Sequence, residues 1–241
     1  MDKALLDFCS TIETLSNTNS INSFVTSKKE AASILPLTLK QQKDIISSQV
    51  AGVVGLVRFG RVLNNILLEN CKMDNLLVCD KSALAVDLRI NAIGDKIRDV
   101  PLVEISNRYK RCEANFKLME IVEDSGITAE LAIPTLIDEN KIILKLEDVI
   151  DVNVDSVDIN LSNIYTFEVV KYVKSLSIKD VKIEFDLIPS VMDRVKILEK
   201  LPLSVNRKII DYIEFNKLEE QKIMTWGEDI VDVSADFFDF E

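Results

Sequence analysis

The chain reads as α+β and mainly helical, and three observations predict it. Stretches such as RVLNNILLENC repeat apolar residues at helical spacing. A middle segment alternates at a period nearer two, as in ITAELAIPTL and VNVDSVDINL. Beyond it the helical spacing returns, through to VNRKIIDYIEFNKLEEQKIM. With 241 residues, 47% of them hydrophobic, the chain can bury a substantial core, as one large domain or two small ones.

Residues 1–35 are rich in Ser, Thr and Asn and read as a polar flexible arm, with at most a short helix near Leu5 to Thr14. Residues 36–125 follow as a helical unit. Its first helix opens in LPLTLKQQKDII on a capping box, Thr38 with Gln41 three residues on, and runs through Ile45 and Ile46 toward Val50. RVLNNILLENC is the second helix, with Val62, Leu63, Ile66, Leu67 and Asn70 on its stripe. DKSALAVDLRINAIGD is the third: Asp80 as N-cap, Leu84 and Leu88 on one buried face, and Gly94 turning left-handed to end it. Arg89 lies near the end of that helix, where the dipole favours a cation and where it can lock the helix to an acidic neighbour.

Residues 126–162 read as strand-rich. Pro134 marks ITAELAIPTL as an edge strand or one that stops early, and KIILKLEDV continues the shorter period. Residues 163–224 read as C-terminal helices, the middle one opening after Pro189 and the last placing Ile209, Ile213 and Leu218 in the core. Residues 225–241 form an acidic aromatic tail.

Composition excludes several function classes. The net charge is -11, from 40 acidic against 29 basic residues, which argues against a duplex-DNA binder. The densest basic cluster, Arg108-Tyr109-Lys110-Arg111, reads as a solvated loop or strand edge. There is no histidine, so hydrolases that use imidazole as base or ligand are excluded. Cys9, Cys71, Cys79 and Cys112 lack metal-site spacing and read as reduced thiols. AGVVGLVRFG has neither the phosphate-loop Lys-Ser/Thr pair nor the dinucleotide glycine spacing. Asp151, Asp155 and Asp158 read as surface carboxylates. The expectation is therefore a non-enzyme with no cofactor and no metal. The N-terminus has no secretory pattern, and VAGVVGLV covers only about a third of a membrane span, so a soluble protein is expected.

PLTLKQQKDII, RVLNNILLENC and LAVDLRINAIGD, in that order, resemble the N-terminal half of the baseplate hub-assembly protein family of T-even-like contractile-tailed bacteriophages. The family's Arg-x-x-Ser-x-Gly element stands here as Arg89-Ile90-Asn91-Ala92-Ile93-Gly94, with Ala92 in place of the usual Ser. LEKLPLSVNRKIIDYIEFNKLEEQ is similar to the closing helices of such proteins. The resemblance implies a non-enzymatic tail morphogenesis protein that binds and positions structural subunits while the central baseplate hub is assembled. It would act in the host cytoplasm, with retention in the virion baseplate left open.

The final WGEDIVDVSADFFDFE carries six acids and no base. It reads as a docking peptide for a partner: Trp226, Phe237, Phe238 and Phe240 anchor, while acids including Asp236 and Asp239 steer. The competing readings are a solubilising tail and a tail folded back on its own domain. An alternative function follows from the same tail, a replication or recombination accessory factor docking through it. Only 6% of residues are aromatic, which supports a single-strand binder poorly. Whether the sheet region exchanges strands with another chain stays open.

Overall fold

The computed structural model describes residues 8, 10–11, 22–48, 53–150 and 157–238. Among them are eight α-helices, a four-stranded sheet and three two-stranded hairpins, an α+β fold that is mainly helical. The helix expected near Leu5 to Thr14 lies almost wholly outside the described residues.

A strand pair within residues 22–34 corrects the reading of residues 1–35 as an arm. β1 (Asn22–Val25) and β2 (Ala31–Ile34) pair antiparallel, Phe24 opposite Ala32, and Phe24, Ala32 and Ile34 are buried. Local polarity is overridden by distant partners. The Tyr109 ring stacks on Phe24 with centroids 5.2 Å apart, and the Ser27 amide donates to Asp80 Oδ1 at 2.7 Å.

α1 (Leu39–Ser47) starts at the expected capping box. The Gln41 amide donates to Thr38 Oγ1 at 3.2 Å, and the Thr38 amide to Gln41 Oε1 at 3.0 Å. Ile45 is buried and Ile46 is not. α2 (Val53–Cys71) takes in the described part of the apolar run, from Val53 on, and buries Leu63, Ile66 and Leu67. α3 (Lys81–Ala92) buries Leu84 and Leu88 and has Asp80 at its N-cap position as expected, but the bonding at its two ends differs from the sequence reading. Asp80 makes no side-chain cap for α3. Its carboxylate accepts instead from the amides of Ser27 and Leu77 and from the Tyr109 hydroxyl, tying three segments together. Gly94 is not left-handed; the positive-φ glycines among the described residues are Gly126 and Gly227. The amides of Ile93 and Gly94 both return to the Arg89 carbonyl, at 2.8 and 3.2 Å, and close the helix without a left-handed residue.

A short hairpin, β3 (Lys96–Ile97) and β4 (Val100–Pro101), leads into α4 (Leu102–Lys110). The basic cluster at 108–111 therefore ends a helix instead of forming a loop. Tyr109 is buried, Lys110 pairs with Asp87 at 3.2 Å, and Arg108 faces the end of the last helix.

β5 (Met119–Asp124), β6 (Ile127–Ala132), β7 (Val173–Ile178) and β8 (Val181–Glu184) form an antiparallel sheet in that spatial order. β6 is interior, so of the two readings Pro134 offered the edge strand is overturned and the strand that stops early stands, since β6 ends at Ala132. Pro134 lies beyond the last ladder pair, where its carbonyl accepts from the Val78 amide at 3.0 Å. The sheet also crosses the boundaries expected at 126 and 163, since β5 precedes one and β7 and β8 follow the other.

KIILKLEDV is helical, a second correction: α5 (Leu136–Val149) begins at Thr135, whose hydroxyl accepts from the Asp138 amide at 3.1 Å. Its buried Leu136, Glu139, Ile142, Ile143 and Leu146 follow helical spacing, which the short apolar run hides. The expected strand in VNVDSVDINL lies partly outside the described residues, and from Val157 the chain is α6 (Val157–Tyr172). α7 (Val191–Leu198) is capped by Ser190, and α8 (Leu203–Met224) buries Ile209 and Ile213. Leu218 is exposed, which corrects its place in the core. Asn216 and Glu219 hold the inner face beside it, bonding the amides of Lys117 and Asn115 at 2.8 and 2.9 Å.

Two apolar clusters result. The first joins β1, β2, α1 to α4 and the tail; the second joins the sheet with α5 to α8.

Candidate partner-binding site

The tail is where sequence reasoning placed the partner site, and the structure folds most of it back. β9 (Thr225–Trp226) and β10 (Asp229–Ile230) make a hairpin around Gly227, whose φ of 62° suits glycine. The Val231 amide then donates to the Met224 carbonyl at 2.8 Å, and Ala235–Phe238 forms a 3-10 turn. Phe237 and Phe238 are 1% and 0% exposed and meet edge to face, with centroids 5.2 Å apart. Gln42 of α1 donates to the Phe238 carbonyl at 3.1 Å. Arg89 donates to the Phe237 carbonyl and lies 5.3 Å from the centroid of that ring. The expectation that Phe237 and Phe238 anchor in a partner's pocket is corrected: they fill their own chain's core. What Arg89 grips includes backbone carbonyls, those of Phe237 and Lys96.

The remaining tail residues separate. Trp226 stays 39% exposed on the hairpin, and Asp236 is exposed. Asp239 and Phe240 lie outside the described residues. Glu228, Asp229 and Asp232 are also exposed, so the acids face water while the two rings do not.

Arg108 joins the tail to the helical unit. Its guanidinium donates to the carbonyls of Ile223 at 3.2 Å, Thr225 at 2.6 Å and Lys222 at 2.5 Å. These carbonyls at the end of α8 lack helical partners, so one cation satisfies them and the helix dipole together.

The strongest charge constellation lies between the two clusters. Buried Glu139 of α5 accepts from Lys81 of α3, from Lys171 of α6 at 2.9 Å and from Asn64 of α2 at 2.8 Å. Lys171 also pairs with Glu168, which reaches Lys217 of α8 at 3.0 Å. Burial alone would raise the Glu139 carboxyl, but the Lys81 and Lys171 ammoniums outweigh it and hold the group well below the usual range. Burial would likewise lower Lys171, and Glu139 and Glu168 instead hold its ammonium above the ordinary value. Groups so locked do not exchange protons near neutrality. The network is a joint between five helices. Nearby, burial raises the Glu220 carboxyl despite the Ser82 hydroxyl that donates to it.

The two buried thiols, Cys71 and Cys79, are equally inert. Cys71, Cys79 and Cys112 are unpaired with one another, and burial pushes the Cys71 thiol up to about 12 and Cys79 higher still. Cys9 lies outside the described residues. Among the described residues no group of three or more Cys, Asp or Glu could hold a metal ion, and no helix is long and apolar enough to cross a membrane.

Sequence reasoning missed an apolar groove of about 200 Å³ between α6, α7 and α8. Tyr165, Val169, Leu198, Leu203 and Ile210 line it, with Glu199 and Arg207 among the polar residues around it. Leu203 is 86% exposed, an unusual place for leucine at the first position of a long helix. The signal was available: Leu203 falls outside the stripe of Ile209 and Ile213. Compared with protein-family models, curated proteins and solved structures, the chain gives no match.

Proposed function

We propose that this chain is a non-enzymatic assembly protein of a contractile-tailed phage, binding and positioning structural subunits while the central baseplate hub is built. The observation that carries the reading is the order of PLTLKQQKDII, RVLNNILLENC and LAVDLRINAIGD. These stretches fall on α1, α2 and α3, whose buried faces share one core. Support for protein binding comes from the groove at Tyr165 and Leu203, since apolar side chains gathered at a rimmed surface suit a protein partner. Partner anchors then sit on α6 and α8, with Trp226 as a second contact.

The alternative, a replication or recombination accessory factor, rests on the exposed acids Glu228, Asp229, Asp232 and Asp236. It loses Phe237 and Phe238 as anchors, because both are in the core.

The test is affinity capture on the tagged chain from phage-infected cells, with identification of what co-purifies. Baseplate hub subunits are expected with the wild type and are expected to be lost with Leu203→Asp, at unchanged melting temperature. Recovery of replication proteins in their place, insensitive to Leu203→Asp, overturns the reading.

A further inference from the structure

The two edges of the four-stranded sheet are not equivalent. β5 runs beside α8, and Lys208 of that helix donates to the Glu123 carbonyl at 2.6 Å, so part of its outer backbone is taken. No other strand among the described residues pairs with β8 beyond β7.

The β7–β8 turn fixes which backbone groups of β8 face outward. Ile178 pairs with Val181 across a two-residue loop that starts at Lys179, whose φ is 52°. In such a hairpin the residues flanking the loop exchange both hydrogen bonds, and the pattern alternates from there. Val181 and Ile183 therefore spend their amides and carbonyls on β7, opposite Ile178 and Leu176. Lys182 and Glu184 direct theirs to the open edge.

Lys182 and Glu184 also carry opposite charges on one face of the strand, and their side chains pair at 2.6 Å. An antiparallel copy of the strand, centred on Ile183, sets Lys182 opposite Glu184 of the second copy and Glu184 opposite its Lys182. Those are also the two positions whose backbone groups face outward, so the hydrogen-bonding pairs and the charge pairs coincide. The four charges then alternate in sign. Ile183 meets its own copy at the non-hydrogen-bonded position, where side chains approach most closely. Val181 and Ile183 are 64% and 39% exposed, so their apolar surface lies open beside the junction.

We infer that β8 is a self-pairing edge: two copies of this chain join antiparallel along it, with Ile183 on the two-fold axis, merging two four-stranded sheets into one. A lone lysine on an edge strand discourages pairing, but a lysine and a glutamate two residues apart discourage it only in other registers. β5 lacks this property. Self-pairing about Ile121 would set Met119 against Glu123, with no complement. The inference is independent of the proposed function and would hold for either reading of it.

Sedimentation equilibrium of the full chain tests it, with charge exchange as the discriminator. The wild type is expected to rise from 27.2 kDa toward twice that mass with concentration. K182E sets two glutamates against two glutamates, and E184K two lysines against two lysines; each is expected to weaken the dimer by about tenfold or more. The double variant K182E/E184K restores opposite charges and is expected to return within about threefold of wild type. In a background with Cys9 and Cys112 replaced by Ser, Ile183→Cys is expected to form a disulfide-linked dimer on oxidation, because Cα atoms at such a pair lie about 4.5 Å apart. A wild-type mass that stays at 27.2 kDa up to roughly 1 mM overturns the inference. So does a dimer that is indifferent to the single charge reversals, or one that the double variant fails to restore.

Discussion

The two apolar clusters are closed in different ways. The second draws on residues from Leu77 to Ile213, mostly from the sheet and the helices that cover it. The first is closed from both sides of the chain, by Phe24, Ala32 and Ile34 early and by Val231, Phe237 and Phe238 late. A core built largely from neighbouring elements forms with modest loop closure, whereas the first must bring Gln42 and Phe238 together across 196 residues. Its integrity therefore depends on a segment whose sequence looks like a solvent-exposed tail.

The largest expected effect breaks that dependence. Replacing Phe237 and Phe238 by Ala is expected to cost about 3–5 kcal/mol for each ring before coupling, since both are fully buried and touch. Amide exchange should accelerate in α1 and β1 more than in the four-stranded sheet. Truncation after Met224 should act in the same direction, with a lower melting temperature. A truncated chain that melts like wild type would detach the tail from the first core.

Next is the joint between the clusters. Glu139→Ala leaves Lys81 and Lys171 without a shared carboxylate in a buried site, and is expected to cost about 3 kcal/mol or more. Calorimetry should also show the single transition broadening or splitting, as the clusters lose their common tie. A sharp transition at the wild-type temperature would mean that packing alone couples them.

The smallest effect is in the pH dependence. Glu139 is held below its ordinary value of 4.5, so its contribution is present above that pH and is lost as pH falls through the lowered value. Glu220 has the opposite sign. Its carboxyl is raised above 4.5, so its contribution is complete below that pH and is lost as pH rises through the raised value. Glu220→Gln is therefore expected to melt higher than wild type at pH 7, with the gain vanishing below pH 4.5. Equal melting temperatures across that range would show that burial does not perturb Glu220.

What was legible in the sequence was local. Thr38 with Gln41, Leu84 with Leu88, and Ile209 with Ile213 are each readable within a turn or two of helix, and each stands where expected. KIILKLEDV failed because a short apolar run fits both periods; the deciding cap at Thr135 lies just outside it. Asp80 stands at the N-cap position as expected, but the use of its carboxylate was not legible. Its partners Ser27 and Tyr109 are 53 and 29 residues away, and only the fold brings them to one carboxylate. The candidate site divides along the same line. The described acids of the tail, Glu228, Asp229, Asp232 and Asp236, are exposed, as their charge implies, but no pattern near Phe237 announces a receptor made from α1 and Arg89.

Closure of the first core by Phe237 and Phe238 also places the event in time during synthesis. A ribosome adds about 5–20 residues per second, so Phe24 leaves the tunnel on the order of ten seconds or more before its late partners exist. Until then the apolar cleft that α1 to α3 leave for those rings is unfilled on the nascent chain. For that interval the cleft is open to a chaperone, or to any Phe-Phe peptide that reaches it first.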